Sequence, residues 1–235
     1  MTITISSWKG GTGKTTLSVM LAEFLVAKGF KVLIIDLDPN CAISQIYKQI
    51  FKDVTSLEFL TGVWEKFSVY SIKEKLDIIP GNLNNVLLQN IMDLSMKNNL
   101  KRSGFKDNYD FIIIDPPGYW GAHTRNAVFA SDVLVIPGTC SRIDFEASKL
   151  YFKTLQQNCI EANTFVCVNA FNAEMNLPGI YEAYQEEFKE FLLEKPIPYI
   201  KSLKKLTNDT DYVIQSNIKN RLEFFVQAVL KAGGL

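Results

Sequence analysis

Three stretches of this chain are apolar across the length of a strand: Lys31–Asp36 (KVLIID), Phe111–Asp115 (FIIID) and Asp132–Pro137 (DVLVIP). A strand without polar alternation has both faces buried. A parallel sheet with helices packed on either side meets that demand. The rest of the chain reads the same way. Thr2–Ser6 is a short β-branched run, and the helical pattern from Thr15 to Lys28 is closed by Gly29. Residues 40–52 and 55–66 read as helices and Leu76–Pro80 as a strand, followed by a polar helical stretch to about Gly104. A helix is predicted from about His123 and another over 144–160, then a strand over Thr164–Asn169 and a helix over 179–193. A strand near Pro196–Ile200 and a final helix over 217–231 complete the chain. Strand alternates with helix without repeats or a Pro/Gly-rich linker. The expected fold class is α/β: a single doubly wound domain over residues 1–235, its mostly parallel sheet flanked by helices.

Charge and composition exclude several functions. The 25 basic and 25 acidic side chains leave no formal net charge. The molecule therefore cannot bind nucleic acid as a bulk polycation, and any such contact needs a local patch. Residues 195–235 hold such an excess of bases, and Lys201, Lys204 and Lys205 cluster closely enough to meet a phosphate backbone. Residues 174–194 are acidic. The N-terminus lacks the basic and apolar regions of a signal peptide, and no apolar run approaches a membrane span. Cys41, Cys140, Cys159 and Cys167 are scattered, with His123 as the only histidine, so zinc-finger spacing is absent. Reduced thiols in the cytoplasm are the expectation.

The chemistry gathers at the ends of the strands. Trp8-Lys9-Gly10-Gly11-Thr12-Gly13-Lys14-Thr15-Thr16 lies between a strand and a helix, where backbone N–H groups and a helix N-terminus can converge on phosphate. In that setting Lys14 neutralises β- and γ-phosphate charge and the Thr15 hydroxyl ligates Mg2+. The general phosphate-loop pattern asks for glycine at position 8. Trp8 stands there, and a second lysine, Lys9, opens the loop.

The segment KGGTGKTT resembles the deviant Walker A signature of the ParA/MinD superfamily, which includes plasmid and chromosome partition ATPases. The resemblance runs on through Asp36-Leu37-Asp38-Pro39-Asn40, the strand Leu76–Gly81, the Walker B-like segment Tyr109–Gly118, and Ala130–Pro137 with Cys140–Phe145, the last pair similar to small ParF-like partition proteins. It implies an ATPase that dimerises around ATP and Mg2+. Lys9 matches the signature lysine that reaches the partner subunit's nucleotide, Lys14 the catalytic lysine, and Asp38 the acid that positions attacking water. Thr15, Asp36 and Asp115 match the magnesium-holding residues. Gly10, Gly11, Thr12, Gly13 and Thr16 complete the phosphate loop, and Asn169 and Pro198 match the adenine pocket. The implied partners are a second copy of the chain, a ParB/ParG-like centromere-binding protein and nonspecific DNA contacted through Lys201, Lys204 and Lys205. The implied location is cytoplasmic and nucleoid-associated, without stable membrane association.

The sequence departs from the family at several positions. Asn40-Cys41 replaces the usual Gln-Gly, and Tyr119-Trp120 is bulkier than usual and expected to pack inward. The chain starts at its first strand, so the helix-turn-helix extension of larger partition ATPases is not expected. Two rival functions share the loop. A MinD-like membrane-cycling ATPase calls for a detachable basic amphipathic end, whereas Ile218, Leu222, Phe225, Val226, Val229 and Leu230 form an apolar stripe suited to docking on the core. A nitrogenase-iron-protein-like reductase calls for cluster-ligating cysteines, for which Cys140 is the available candidate.

Overall fold

The computed structural model describes residues 1–50, 52–63, 69–87, 91–172, 174, 177–201 and 216–235. Its centre is one sheet of seven strands: β1 (Thr2–Ile5), β2 (Val32–Asp36), β3 (Tyr70–Lys73), β4 (Leu76–Ile79), β5 (Phe111–Asp115), β6 (Val133–Gly138) and β7 (Asn163–Val168). They lie in the order β3-β4-β2-β5-β1-β6-β7, all parallel except β3, which runs antiparallel to β4.

Each central strand sends alternate residues to opposite sides, as the period of two requires. On one face Ile3, Ile34, Ile113 and Val135 pack against α1 (Lys14–Ala27) and the apolar stripe of α9 (Ser216–Ala232), where Leu222, Phe225, Val226 and Val229 are buried. On the other face Leu33, Ile35, Ile112 and Ile114 meet Phe59 and Leu60 of α3 (Ser56–Thr61) and Met96 and Leu100 of α4 (Ser95–Arg102). Further along that face Leu134, Ile136 and Val166 meet Tyr151 and Leu155 of α7 (Arg142–Gln157), and Tyr184 and Phe188 of α8 (Ile180–Phe188). The predicted docking of the last helix holds at Leu222, Phe225, Val226, Val229 and Leu230, while the side chain of Ile218 lies outside the described ones.

Several local expectations need correction. The helix foreseen over 40–52 is only α2 (Ala42–Ile46), because Lys48 sits at a left-handed φ of 55° that no helix continues through. The helix foreseen over 55–66 stops at Thr61, capped by Gly62, and residues 64–66 lie outside the described residues. The polar stretch before Gly104 resolves into a 3-10 turn, Leu83–Leu87, and α4, followed by the short α5 (Phe105–Asn108), and the helix foreseen from about His123 is α6 (Ala122–Phe129). No strand forms over 196–200. The segment instead makes an isolated bridge, Phe171 with Pro198, beyond the end of β7. The helix foreseen over 179–193 ends at Phe188 and finishes as a 3-10 turn over Lys189–Phe191. β3 was not anticipated at all.

The order of strands positions the site. From β1 the chain crosses to β2 on one side, over β5, while β5 crosses back over β1 to β6 on the other. The carboxyl end of β1 is thus the point at which the winding reverses, where open α/β sheets form a crevice. The glycine-rich loop leaves β1 at this point.

Candidate functional site

The loop is braced from below. The side chains of Ser7 and Thr12 are 2.8 Å apart, Oγ to Oγ1, and both residues are buried. Gly13 caps α1 at a left-handed φ of 94°, and a Cβ there would lie 2.2 Å from Asn169 Nδ2. That amide donates to Thr12 O at 2.8 Å, so the end of β7 supports the loop. The first turn of α1 carries no acidic residue, leaving the positive end of the helix facing the crevice.

The two lysines of the loop part company. Lys14 is buried, and its Nζ donates to Lys9 O at 3.1 Å. Burial pushes its ammonium below the usual lysine range, against the pull of Asp115 and Asp38. Lys9 instead forms an ion pair with Asp144 on α7, its own side chain 40% exposed and that of Asp144 only 4%. Asp144 also accepts from Thr139 Oγ1, and its N–H donates to Ser141 Oγ at 3.2 Å in the α7 cap. Asp144 was not foreseen as a site residue. The Ser141-Arg142-Ile143-Asp144 run that opens α7 was its only signal.

Three acids line up at the ends of β2 and β5. Asp36 and Asp115 are direct neighbours in register. Thr15 Oγ1 donates to Asp115 Oδ2 at 2.8 Å, and Ser18 Oγ donates to Oδ1 at 3.0 Å. Burial, then the adjacent Asp36, pushes Asp115 up to about 7. Asp36 accepts from Ser44 N at 3.0 Å and Ser44 Oγ at 2.6 Å, and burial raises it to about 6 despite those bonds. Asp38 is half-buried at the mouth of the crevice. Both the N–H and the Nδ2 of Asn40 donate to its Oδ1, at 2.8 and 2.9 Å. The departure at position 40 thus supplies the clamp on this acid. A cavity of about 660 Å³ is lined by Gly10, Lys14, Thr15, Asp38, Gly118 and Tyr119 among others.

Aromatic packing accounts for Trp8. Its ring lies 5.7 Å from that of Tyr151, which in turn lies 5.8 Å from Trp120. Tyr151 is fully buried and donates to Ser6 Oγ at 2.7 Å. Three elements that border the crevice share this cluster. Trp120 packs inward as expected, but Tyr119 does not: it is 45% exposed beside the cavity.

The other predicted residues divide. Asn169 sits beside the loop, and Pro198 pairs with Phe171 two positions beyond it, with backbone bonds of 2.8 Å on either side. Lys201 is exposed, while Lys204 and Lys205 lie outside the described residues. The Cys140 thiol is buried and pushed up to about 11, unlike the exposed, low-pKa thiolate that metal ligation favours. Among the described residues no helix is long and apolar enough to cross a membrane.

The AAA domain family matches residues 1–168. The cell division protein PomZ of Myxococcus xanthus is 32% identical over 80% of this chain and 63% of its own, so the match leaves more than a third of PomZ unaligned. The sporulation initiation inhibitor protein Soj of Bacillus subtilis is 30% identical over 83% of each chain. Among solved structures, a plasmid partition protein of Borrelia burgdorferi bound to AMPPNP superposes with a TM-score of 0.79 at 24% identity, covering 97% of this chain and 98% of that one. With its two-lysine phosphate loop at the reversal point of a seven-stranded sheet, the chain belongs to the ParA/MinD superfamily of P-loop proteins, among the partition-type members.

Proposed function

We propose that this chain, as one domain over residues 1–235, is a cytoplasmic ATPase that dimerises around ATP and positions or partitions DNA. The observation that carries the reading is the division of labour within the loop. Lys14 is turned into its own crevice, and Lys9 is held outside it on Asp144. A lysine placed there is available to a second subunit, while phosphate binding in cis falls to Lys14, the loop N–H groups and the α1 N-terminus.

The site fits Mg2+ with a nucleoside triphosphate. Thr15, Asp115 and Asp36 offer oxygen donors alone, the set that magnesium shares with phosphate oxygens. When bound, the ion neutralises charge on the β- and γ-phosphates. The chain's residues supply the rest. Gly10 to Gly13 and Thr16 orient the phosphates, Lys14 stabilises charge that develops in transfer, and Asp38, fixed by Asn40, orients the attacking water. Asn169 and Pro198 border the adenine.

The likeness to Soj, named as a chromosome-partitioning ATPase in Treponema pallidum, supports a role in partition, and the likeness to the cell division protein PomZ supports one in cell division. By analogy the ATP dimer binds DNA nonspecifically at the nucleoid and a ParB/ParG-like centromere-binding protein triggers its release. The Lys201, Lys204 and Lys205 cluster is the proposed phosphate contact. Gel-shift titration with ATP, ADP or no nucleotide tests this. Binding is expected with ATP alone and should weaken with salt at a log–log slope of about −0.9 per phosphate. Replacing the three lysines by glutamine lowers affinity for every duplex alike and flattens that slope. A wild-type protein that ignores DNA in all three states, and pellets with anionic liposomes in ATP, refutes the partition reading.

A further inference from the structure

The loop after Asp115 carries an aromatic residue that the proposed chemistry has not yet used. Tyr119 lines the crevice beside Asp38, and two separate contacts fix its ring. The ring lies over Gly121, where a Cβ would come within 2.3 Å of Tyr119 Cε2. Its hydroxyl lies 3.3 Å from His123 Nδ1, and the two rings meet edge to face.

The tautomer of His123 follows from its other partner. His123 Nε2 bonds to Asn85 O, and a carbonyl only accepts, so Nε2 carries the hydrogen. Burial lowers the pKa of the ring and keeps it neutral, which leaves Nδ1 as an acceptor and makes the Tyr119 hydroxyl the donor. Asn85 is itself fully buried. Its Nδ2 donates to Ser56 Oγ at 2.9 Å and to Leu37 O at 3.3 Å, and Leu37 is the residue between Asp36 and Asp38. The next residue of the same turn, Val86, lines the crevice. Asp38 is close enough for its charge to act on both Tyr119 and His123.

We propose that Tyr119 and His123 are positioning residues for hydrolysis: the chain Tyr119–His123–Asn85–Leu37 ties the wall of the crevice after Asp115 to the backbone that carries Asp38. This inference rests on the hydrolytic reading above. The reacting water is oriented by Asp38, and a shift of an ångström in such a group is costly to turnover. The Tyr119 hydroxyl bond fixes the His123 ring, and the His123–Asn85 and Asn85–Leu37 bonds set how far the two loops stand apart. Nucleotide binding draws on the phosphate loop and α1, so the chain acts on turnover rather than on affinity.

The test is steady-state ATP turnover by the full chain with Tyr119→Phe, His123→Gln and the double variant. Tyr119→Phe keeps the ring over Gly121 and removes only the hydroxyl of a half-exposed residue, so folding is not at stake. His123→Gln keeps a donor for Asn85 O and takes away the ring Nδ1 that accepts from Tyr119. Each single variant is expected to lower kcat by up to about tenfold, the scale of one hydrogen bond, with KM for ATP held within about twofold. The double variant falls no further than either single one, because both remove the same bond. Wild-type kcat in Tyr119→Phe, or losses that multiply in the double variant, overturns the proposal. Wild-type protein that shows no ATP turnover refutes the hydrolytic reading itself, and the positioning role falls with it.

Discussion

Replacing Gly13 by alanine perturbs two independent features at once. The residue caps α1 at a φ of 94°, where an L side chain costs about 1–2 kcal/mol. The new methyl carbon also falls 2.2 Å from Asn169 Nδ2, so the amide must swing away and release its 2.8 Å bond to Thr12 O. Losing that bond adds about 1 kcal/mol. The total of about 2–3 kcal/mol corresponds to a fall in Tm of about 4–12 °C for a chain of this size. Thermal denaturation followed by circular dichroism, without nucleotide, measures it. Asn169→Ala alone should cost about 1 kcal/mol. The double variant should cost less than the sum of the two, since the clash has gone and the bond cannot be lost twice. A Gly13→Ala protein that melts with the wild type, or strict additivity in the double variant, refutes the proposed support of the loop by β7.

Lys9→Ala should leave nucleotide binding by the monomer largely intact and abolish ATP-dependent dimerisation; light scattering that shows a normal ATP dimer contradicts this. Asp38→Ala should trap an ATP-bound dimer with slow hydrolysis, because removing a water-orienting acid costs turnover more than binding, and an unchanged single-turnover rate would move the role elsewhere. Asp36 and Asp115 stand at about 6 and about 7 in the folded chain, above the ordinary carboxylate value of about 4. The native state therefore keeps protons that the unfolded chain releases. Their stabilising contribution is complete below about pH 4 and is lost as pH rises through 6 and 7. In magnesium-free buffer Asp115→Asn should gain Tm relative to the wild type as pH rises from about 5 to about 8, and parallel curves would rule the shift out.

The parallel core of the sheet was legible because β2, β5 and β6 are apolar on both faces, a pattern that few other arrangements accommodate. The phosphate loop was legible because its chemistry is local to one turn. β3 escaped because it is an edge strand whose burial alternates between half-buried and exposed, a weak signal beside the helices around it. The short α2 and α3 were overextended because periodicity continues past Lys48 and Gly62, and only backbone geometry ends the helices there. Within the site, Lys14, Thr15 and Asp115 are brought together as their positions at strand and helix ends required. The Lys9–Asp144 pair spans 135 positions, and the contact of Tyr119 with His123 depends on which way two rings turn. Spacing along the chain carries neither fact.

The aromatic cluster at the crevice also gives the protein an optical handle. Trp8 opens the phosphate loop and Trp120 follows the second acidic strand, and both rings lie within 6 Å of Tyr151. Indole emission responds to local polarity and to neighbouring quenchers. Two of the chain's three tryptophans therefore stand on the phosphate loop and on the loop after Asp115. Stopped-flow fluorescence of the unlabelled protein can follow nucleotide entry directly, and replacing Trp8 or Trp120 by phenylalanine in turn separates what each loop reports.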